Sequence, residues 1–250
     1  MCKLVVLSDI HANLNALRAV IADMKQRYQP DNMILLGDVI NYGIRVNEVI
    51  NEIQSIEIPV VCNLAGNHER VLLDGNLNKF STERGKQLLA YTAKILSGES
   101  WEYIRRRMNI NAMQSLELGG KKLLCLHGDI NDSYWGKLTV ENMKDERYSV
   151  YDYVLSGHTH IPHYVEFFFK SENPSYRNKK KTVFLNPGSV GQPRNHNPLA
   201  QYLYLDLESD TIHHNSVSYD ISEEQSFFPR DLDQFNIRNI IEYEKKYICN

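Results

Sequence analysis

The sequence predicts a layered α/β fold, and three observations carry that prediction. Apolar runs of strand length alternate with stretches of helical spacing over the first 65 residues. The resulting order, βαβαβ, calls for parallel strands joined by helical crossovers. Five of the strands end in a short loop that opens with a polar, ligand-type residue or with a glycine beside one.

Taken in order, Lys3 to Leu7 is a short apolar strand ending at Ser8 and Asp9. Asn13 to Met24 has helical spacing, with Leu14, Leu17, Val20, Ile21 and Met24 at three- and four-residue steps. Met33 to Leu36 is a second strand ended by Gly37-Asp38, Val46 to Ile56 a second helix, and Pro59 to Leu64 a third strand ended by Gly66-Asn67. From 69 to 115 the spacing becomes helical, with Leu88, Leu89, Ile95, Leu96, Trp101 and Ile104 as core positions, which predicts a small helical cap or insertion in one domain spanning 1–250. Strands return at Lys121 to Leu126, Tyr151 to Leu155, Val165 to Phe169 and Thr182 to Leu185. A hairpin is expected from Tyr202 to Leu207 and Thr211 to Ser218, and an amphipathic helix over Ile237 to Ile248.

The composition excludes several classes. A length of 250 residues suffices for a sizeable core. The formal charge of −3 argues against a nucleic-acid partner, whose binders carry a basic excess. The basic run Arg177 to Lys181 reads as a solvated hairpin tip. Cys2, Cys62, Cys125 and Cys249 form no CxxC pair, so neither a disulfide framework nor a thiolate metal site is expected. No apolar run approaches the roughly 20 residues needed to cross a bilayer, and no leader precedes the first strand, so cytoplasmic residence is the expectation.

In open α/β sheets, sites form at the carboxyl ends of strands. The residues there are Asp9 and His11, Asp38, Asn67 and His68, His127, and His158 and His160. Counting His163, six of the nine histidines lie on or beside this edge. Each piece alone has a bland reading: Asp9 as a helix cap, Gly37-Asp38 and Gly66-Asn67-His68 as turns, His127 as a buried core histidine. Together they offer nitrogen and oxygen donors without thiolate, which suits manganese, iron, zinc or nickel rather than calcium. Seven donors exceed one tetrahedral centre and suffice for two, with one carboxylate bridging. Two divalent ions held by two carboxylates leave a surplus of about two positive charges, matched to a phosphate and its more negative transition state. Ions about 3.5–4 Å apart can hold a hydroxide between them for in-line attack.

The set Asp9-x-His11, Gly37-Asp38, Gly66-Asn67-His68-Glu69, His127 and Gly157-His158-Thr159-His160 resembles the calcineurin-like metallophosphoesterase superfamily over about residues 3–205. The resemblance implies a four-layer αββα sandwich of two mixed sheets flanked by helices. It implies one metal on Asp9, His11, Asp38 and His160, a second on Asp38, Asn67, His127 and His158, and His68 facing the substrate. The cofactor is then two divalent transition-metal ions, manganese first. Tyr42-Gly43, Trp135-Gly136 and the segment Asn186 to Arg194 resemble the small bacterial and archaeal phosphodiesterases and the diadenosine-tetraphosphatase-like branch. Protein phosphatases of the superfamily carry Asp-Arg-Gly where this chain has Asn41-Tyr42-Gly43. The branch carries a proline where this chain has Arg45-Val46.

The expected function is therefore hydrolysis of a phosphodiester or a dinucleoside polyphosphate by a metal-bridging hydroxide. A phosphoprotein phosphatase and a catalytically silent scaffold are the alternatives. The full ligand set argues against the scaffold. His68 is the expected catalytic residue, protonating the leaving oxygen or stabilising charge on the phosphoryl group. Asn13, Tyr42, Gly188 and Arg194 are candidate substrate contacts, and Tyr134 and Trp135 a candidate nucleobase platform, each with an ordinary packing role as the alternative. The expected partner is a small, nucleotide-like phosphorylated substrate. Family habit allows a homodimer, and no stripe in the sequence specifies one.

Overall fold

A computed structural model describes residues 2–237. Strand β1 (Lys3–Leu7) shows how the layers arise. Its side chains alternate, Val5 and Leu7 entering one apolar cluster and Leu4 and Val6 another. A strand buried on both faces reads as an unbroken apolar run, and period-two alternation sends successive residues to opposite layers.

Strands β2 (Asn32–Leu35) and β3 (Val60–Asn63) extend β1 in parallel, while β9 (Ala200–Asp206) and β10 (Thr211–Val217) add antiparallel on its other side. The order is β10-β9-β1-β2-β3. A second sheet runs β4-β5-β6-β8-β7 from β4 (Met113–Leu118), β5 (Lys121–Leu126), β6 (Tyr153–Ser156), β7 (His163–Lys170) and β8 (Lys179–Asn186). Its three central strands are parallel and both its edges antiparallel. Leu4, Val6, Ile34 and Leu64 of the first sheet face Leu123, Cys125, Leu155 and Leu185 of the second, which makes the central core. The expected pair of mixed sheets is present.

Helices α1 (Leu14–Arg27), α2 (Val46–Ser55), α3 (Asn67–Asp74), α4 (Glu83–Ile95) and α5 (Gly98–Arg107) cover the outer face of the first sheet. The outer face of the second sheet is closed by a loop and a 3-10 turn, Glu146–Val150, through Leu138, Met143 and Tyr148. Short α6 (Ile221–Ser226) follows β10.

The helical stretch expected at 69–115 runs instead from Asn67 to Arg107, and residues 113–118 are the edge strand β4. That strand is only half-buried, so its apolar alternation is weak in the sequence. Leu89, Leu96 and Ile104 of this stretch join the main core beneath the first sheet. The expected C-terminal helix lies, beyond Ile237, outside the described residues. Among the described residues no helix is long and apolar enough to cross a membrane.

Asn13 is completely buried at the start of α1. Its Oδ1 accepts from Ala16 N at 3.1 Å as an N-cap, and its Nδ2 donates to Tyr219 Oη at 3.0 Å and Gly191 O at 3.3 Å. Its polar atoms are thus engaged by the fold, in the packing role that stood beside a substrate contact as its alternative. Asn13→Ala should cost about 1–2 kcal/mol, the usual value of a helix cap, and lower the melting temperature by about 3–6 °C. An unchanged melting curve would contradict the capping role.

Candidate metal centre

Parallel strands place their carboxyl ends on one edge, and the loops after β1, β2, β3, β5 and β6 meet there. They bring Asp9, His11, Asp38 and His160 into one cluster and Asp38, His127 and His158 into another, with ligand atoms within 4.8 Å of one another in each. Asp38 belongs to both. Asn67 joins the second cluster: its Oδ1 lies 3.0 Å from His127 Nε2 and 3.0 Å from His158 Nδ1. All seven expected donors therefore converge.

Hydrogen bonds outside the cluster set the protonation of three rings. Nδ1 of His11, His127 and His160 lies 3.0, 2.7 and 2.6 Å from the carbonyls of Ile40, Leu36 and Gln192. A carbonyl only accepts, so in the neutral ring Nδ1 carries the hydrogen and Nε2 presents a lone pair. Those lone pairs point at one another and at carboxylates. His11 Nε2 is 3.3 Å from His160 Nε2, His160 Nε2 is 3.1 Å from Asp9 Oδ1, and His127 Nε2 is 3.3 Å from Asp38 Oδ2. Asp9 Oδ1 is buried and has no hydrogen-bond partner among the described residues. With both rings neutral, the His11 and His160 lone pairs face each other and Asp9 Oδ1, an arrangement that a cation relieves. The donor set fits a divalent metal.

The carboxylates are aimed by their second oxygens. Asp9 Oδ2 accepts from Ser8 Oγ at 2.5 Å and His158 N at 3.2 Å, leaving Oδ1 for the cluster. Asp38 Oδ1 accepts from His68 N at 2.9 Å, leaving Oδ2 to face both halves. A Cβ on Gly66 would lie 2.1 Å from Asp38 Oδ1, so only glycine lets the carboxylate occupy that seat. Glu69 ties the β2 and β3 loops together: its carboxylate accepts from the N–H groups of Asp38, Val39, Ile40 and Gly66 at 2.7–3.1 Å. Burial and the nearby Asp38 push the Glu69 carboxyl up to about 7. Four N–H donors act the other way and favour its anion.

Much of the backbone here is strained. Asp9, His11, Asp38, His158 and His160 all sit at positive φ, between 50° and 63°. Left-handed conformation costs about 1–2 kcal/mol per non-glycine residue, and it is held by bonds such as His11 N to Asp38 O at 3.0 Å and Gly43 N to His11 O at 2.9 Å. Such strain concentrates at functional sites.

His68 faces Asp38 Oδ2 with its Nε2 at 3.7 Å. Asn41, three residues after Asp38, sets its state. Asn41 Oδ1 accepts from Tyr42 N at 2.7 Å, so Nδ2 is the atom 2.8 Å from His68 Nδ1. An amide N–H₂ only donates, which leaves the His68 hydrogen on Nε2, facing the centre. Burial lowers the His68 pKa to about 4, so the ring is neutral. The Asn41 contact was not foreseen, because it depends on the fold bringing two loops together.

Above the donors opens a cleft of about 520 Å³. Tyr42, Arg194 and Trp135 line it, with Phe80, Lys137 and Asn236, none of the last three signalled by a motif. Tyr42 packs 4.6 Å from both the His11 and His68 rings. Gly188 is not among the lining residues; it packs on Gln201 at φ 81°, and its loop serves as scaffold, with Ser189 Oγ donating to Asp9 O at 2.7 Å. Tyr134 is likewise absent from the lining, its hydroxyl donating to Ile110 O. His163 opens β7, paired with Asn186, and belongs to neither cluster.

The profile of the calcineurin-like phosphoesterase superfamily domain matches residues 2–210. The chain belongs to this superfamily. It is accordingly a metal-dependent phosphoesterase. An uncharacterized protein of Methanocaldococcus jannaschii is 28% identical over 226 residues, covering 87% of this chain and 88% of that protein. The metallophosphoesterase of Sphaerobacter thermophilus has the same fold with a TM-score of 0.72 at 21% identity, over 96% of this chain and 99% of its own. A hypothetical protein of Pyrococcus horikoshii OT3 is similar at a TM-score of 0.73 and 20% identity, over 96% and 98% of the two chains.

In this phosphoesterase, neighbouring charges move the cluster residues. Burial alone would raise Asp38 and Asp9, but the adjacent imidazoles, His127 for Asp38 and His160 for Asp9, hold both below the usual carboxylate range. Burial disfavours a charged His127, yet Asp38 outweighs it and raises that ring to about 9. Without metal, His127 is therefore protonated at neutral pH and must lose its proton to become a ligand. Metal uptake near neutral pH should release protons, and apparent affinity should climb with pH until about 9 and weaken below it. Calorimetry in buffers of different ionisation enthalpy reads this directly; uptake without proton release would contradict the assignment. Asp38→Asn, at the residue common to both clusters, should lower the metal content, scored by metal analysis of the purified protein.

Proposed function

We propose that this phosphoesterase binds two divalent transition-metal ions, manganese first among them, and hydrolyses a phosphodiester or a dinucleoside polyphosphate. The observation that carries the reading is Asp38 Oδ2. It lies 3.3 Å from His127 Nε2 in one cluster and 4.0 Å from His11 Nε2 in the other, so one oxygen serves both. Asp9, His11, Asp38 and His160 would hold one ion, and Asp38, Asn67, His127 and His158 the other. When bound, such ions polarise the phosphoryl oxygens and activate water for in-line attack.

The chain's own residues do the rest. His68, neutral with its hydrogen on Nε2, is built as a hydrogen-bond donor. It stabilises charge on a phosphoryl oxygen, in preference to surrendering a proton to the leaving group. Arg194 offers a guanidinium at the cleft wall, suited to a further phosphate. Phe80 and Trp135, 6.1 Å apart edge to face, supply aromatic surface of the kind a nucleobase uses. Cationic and aromatic groups in one cleft favour a nucleotide-like substrate. A phosphoprotein phosphatase is disfavoured, since Asn41-Tyr42 stands in place of the Asp-Arg pair of those enzymes.

The test is a panel with manganese: diadenosine polyphosphates, cyclic nucleotides, phosphopeptides and a model diester. Turnover of diesters or dinucleoside polyphosphates above phosphopeptides is expected, and the reverse ranking would sink the substrate reading. His68→Ala should lower kcat about 10²- to 10³-fold, the usual loss for one oxyanion-stabilising donor, with metal content intact. Metal loss in step with activity would reject its role.

A further inference from the structure

The family match ends at residue 210, but the wall of the cleft continues past it. After β10 the chain folds back over the site and is fastened at several points. Ile221, Phe228 and Ile237 form a small apolar cluster with Leu88 of α4. Buried Glu224 accepts from Arg45 Nη1 at 3.3 Å and Asn15 N at 3.0 Å, and the Arg45 guanidinium lies 4.2 Å over the Phe227 ring. Arg84 pairs with Asp233 at 2.5 Å and lies 4.2 Å over Phe235. Gln225 Nε2 donates to Ile237 O at 2.7 Å. These fastenings seat Phe235 and Asn236 in the cleft lining.

The orientation of the Asn236 amide follows from a relay of forced choices. Arg194 Nη2 is 2.9 Å from Gln192 Oε1, and a guanidinium only donates. Gln192 Nε2 is therefore a donor, and it donates to Asn236 Oδ1 at 2.7 Å. That leaves Asn236 Nδ2 as a donor, and this atom is buried without a partner among the described residues, in a residue only 5% exposed. A buried amide hydrogen without a partner is unfavourable, and an acceptor in the cleft would supply the bond it lacks. The relay also reaches the donor cluster, because the carbonyl of Gln192 accepts from His160 Nδ1.

We propose that the segment Tyr219–Ile237 is the substrate-selecting wall of this enzyme, and that Asn236 Nδ2 donates to a phosphate oxygen on the non-scissile arm of the substrate. The proposal rests on the phosphoesterase reading for what enters the cleft. Arg194 and Lys137 line the same cleft, so the arm that reaches Asn236 is anionic, as in a substrate with a second phosphate.

The metal-loaded enzyme and three variants, Asn236→Ala, Asn236→Gln and Asn236→Asp, test it with diadenosine tetraphosphate as substrate and adenosine diphosphate as a binding probe. Asn236→Ala should raise KM about tenfold, equivalent to about 1.4 kcal/mol, with kcat changed less than about twofold. Asn236→Gln should recover part of the loss. Asn236→Asp, which sets a carboxylate against the phosphate, should exceed it. Calorimetric affinity for adenosine diphosphate should fall about tenfold in Asn236→Ala whether or not turnover occurs. Unchanged KM and affinity would overturn the proposal, as would loss of bound metal or of the folded state in all three variants. A wild-type enzyme that cleaves no phosphoester, yet binds adenosine diphosphate through Asn236, would sink the activity reading and leave the wall standing.

Discussion

The structure depends on one crowded arrangement: two carboxylates buried together with a set of imidazoles, among which His127 is held protonated by Asp38. Asp9 and Asp38 are 0% and 1% exposed, and Asp9 Oδ1 has no donor among the described residues. Burying an uncompensated carboxylate costs several kcal/mol even after relaxation. The rings of His11, His127 and His160 are each pinned from behind by a carbonyl, which holds a hydrogen on Nδ1 and turns Nε2 toward the carboxylates. What the polypeptide withholds, a cation supplies.

The two sheets make this arrangement affordable. Central strands buried on both faces provide rigid ends, and their parallel direction puts every ligand loop on one edge. The loops then accept left-handed backbone at five of the seven donors, a conformation an isolated chain would avoid. Rigid strands outside and strained loops inside are one design, since strain persists only where its surroundings over-determine it.

The donor positions were legible in the sequence because each follows an apolar run and carries chemistry in its own side chain, as in Asp9-x-His11 or His158-x-His160. Helices α1 and α2 were legible for the same reason, a strong one-sided period. Residues that act through others were not. Asn41 reads as a turn residue until the fold sets it against His68, 27 positions away. Asn236 is unremarkable until Gln192 orients it across 44 positions. Strand β4 hid because an edge strand with half-buried side chains has little apolar contrast. Asn13 and Gly188 were legible as special while contact and packing roles stayed open, because a scaffold position beside a site has the same local signature as a contact within it.

Glu69 has a consequence beyond its own bonds. A single side chain grips the backbone of two loops, at Asp38 to Ile40 and at Gly66. The loop that carries Asp38 and the loop that carries Asn67 therefore move as one body, and a substitution that displaces one displaces the other.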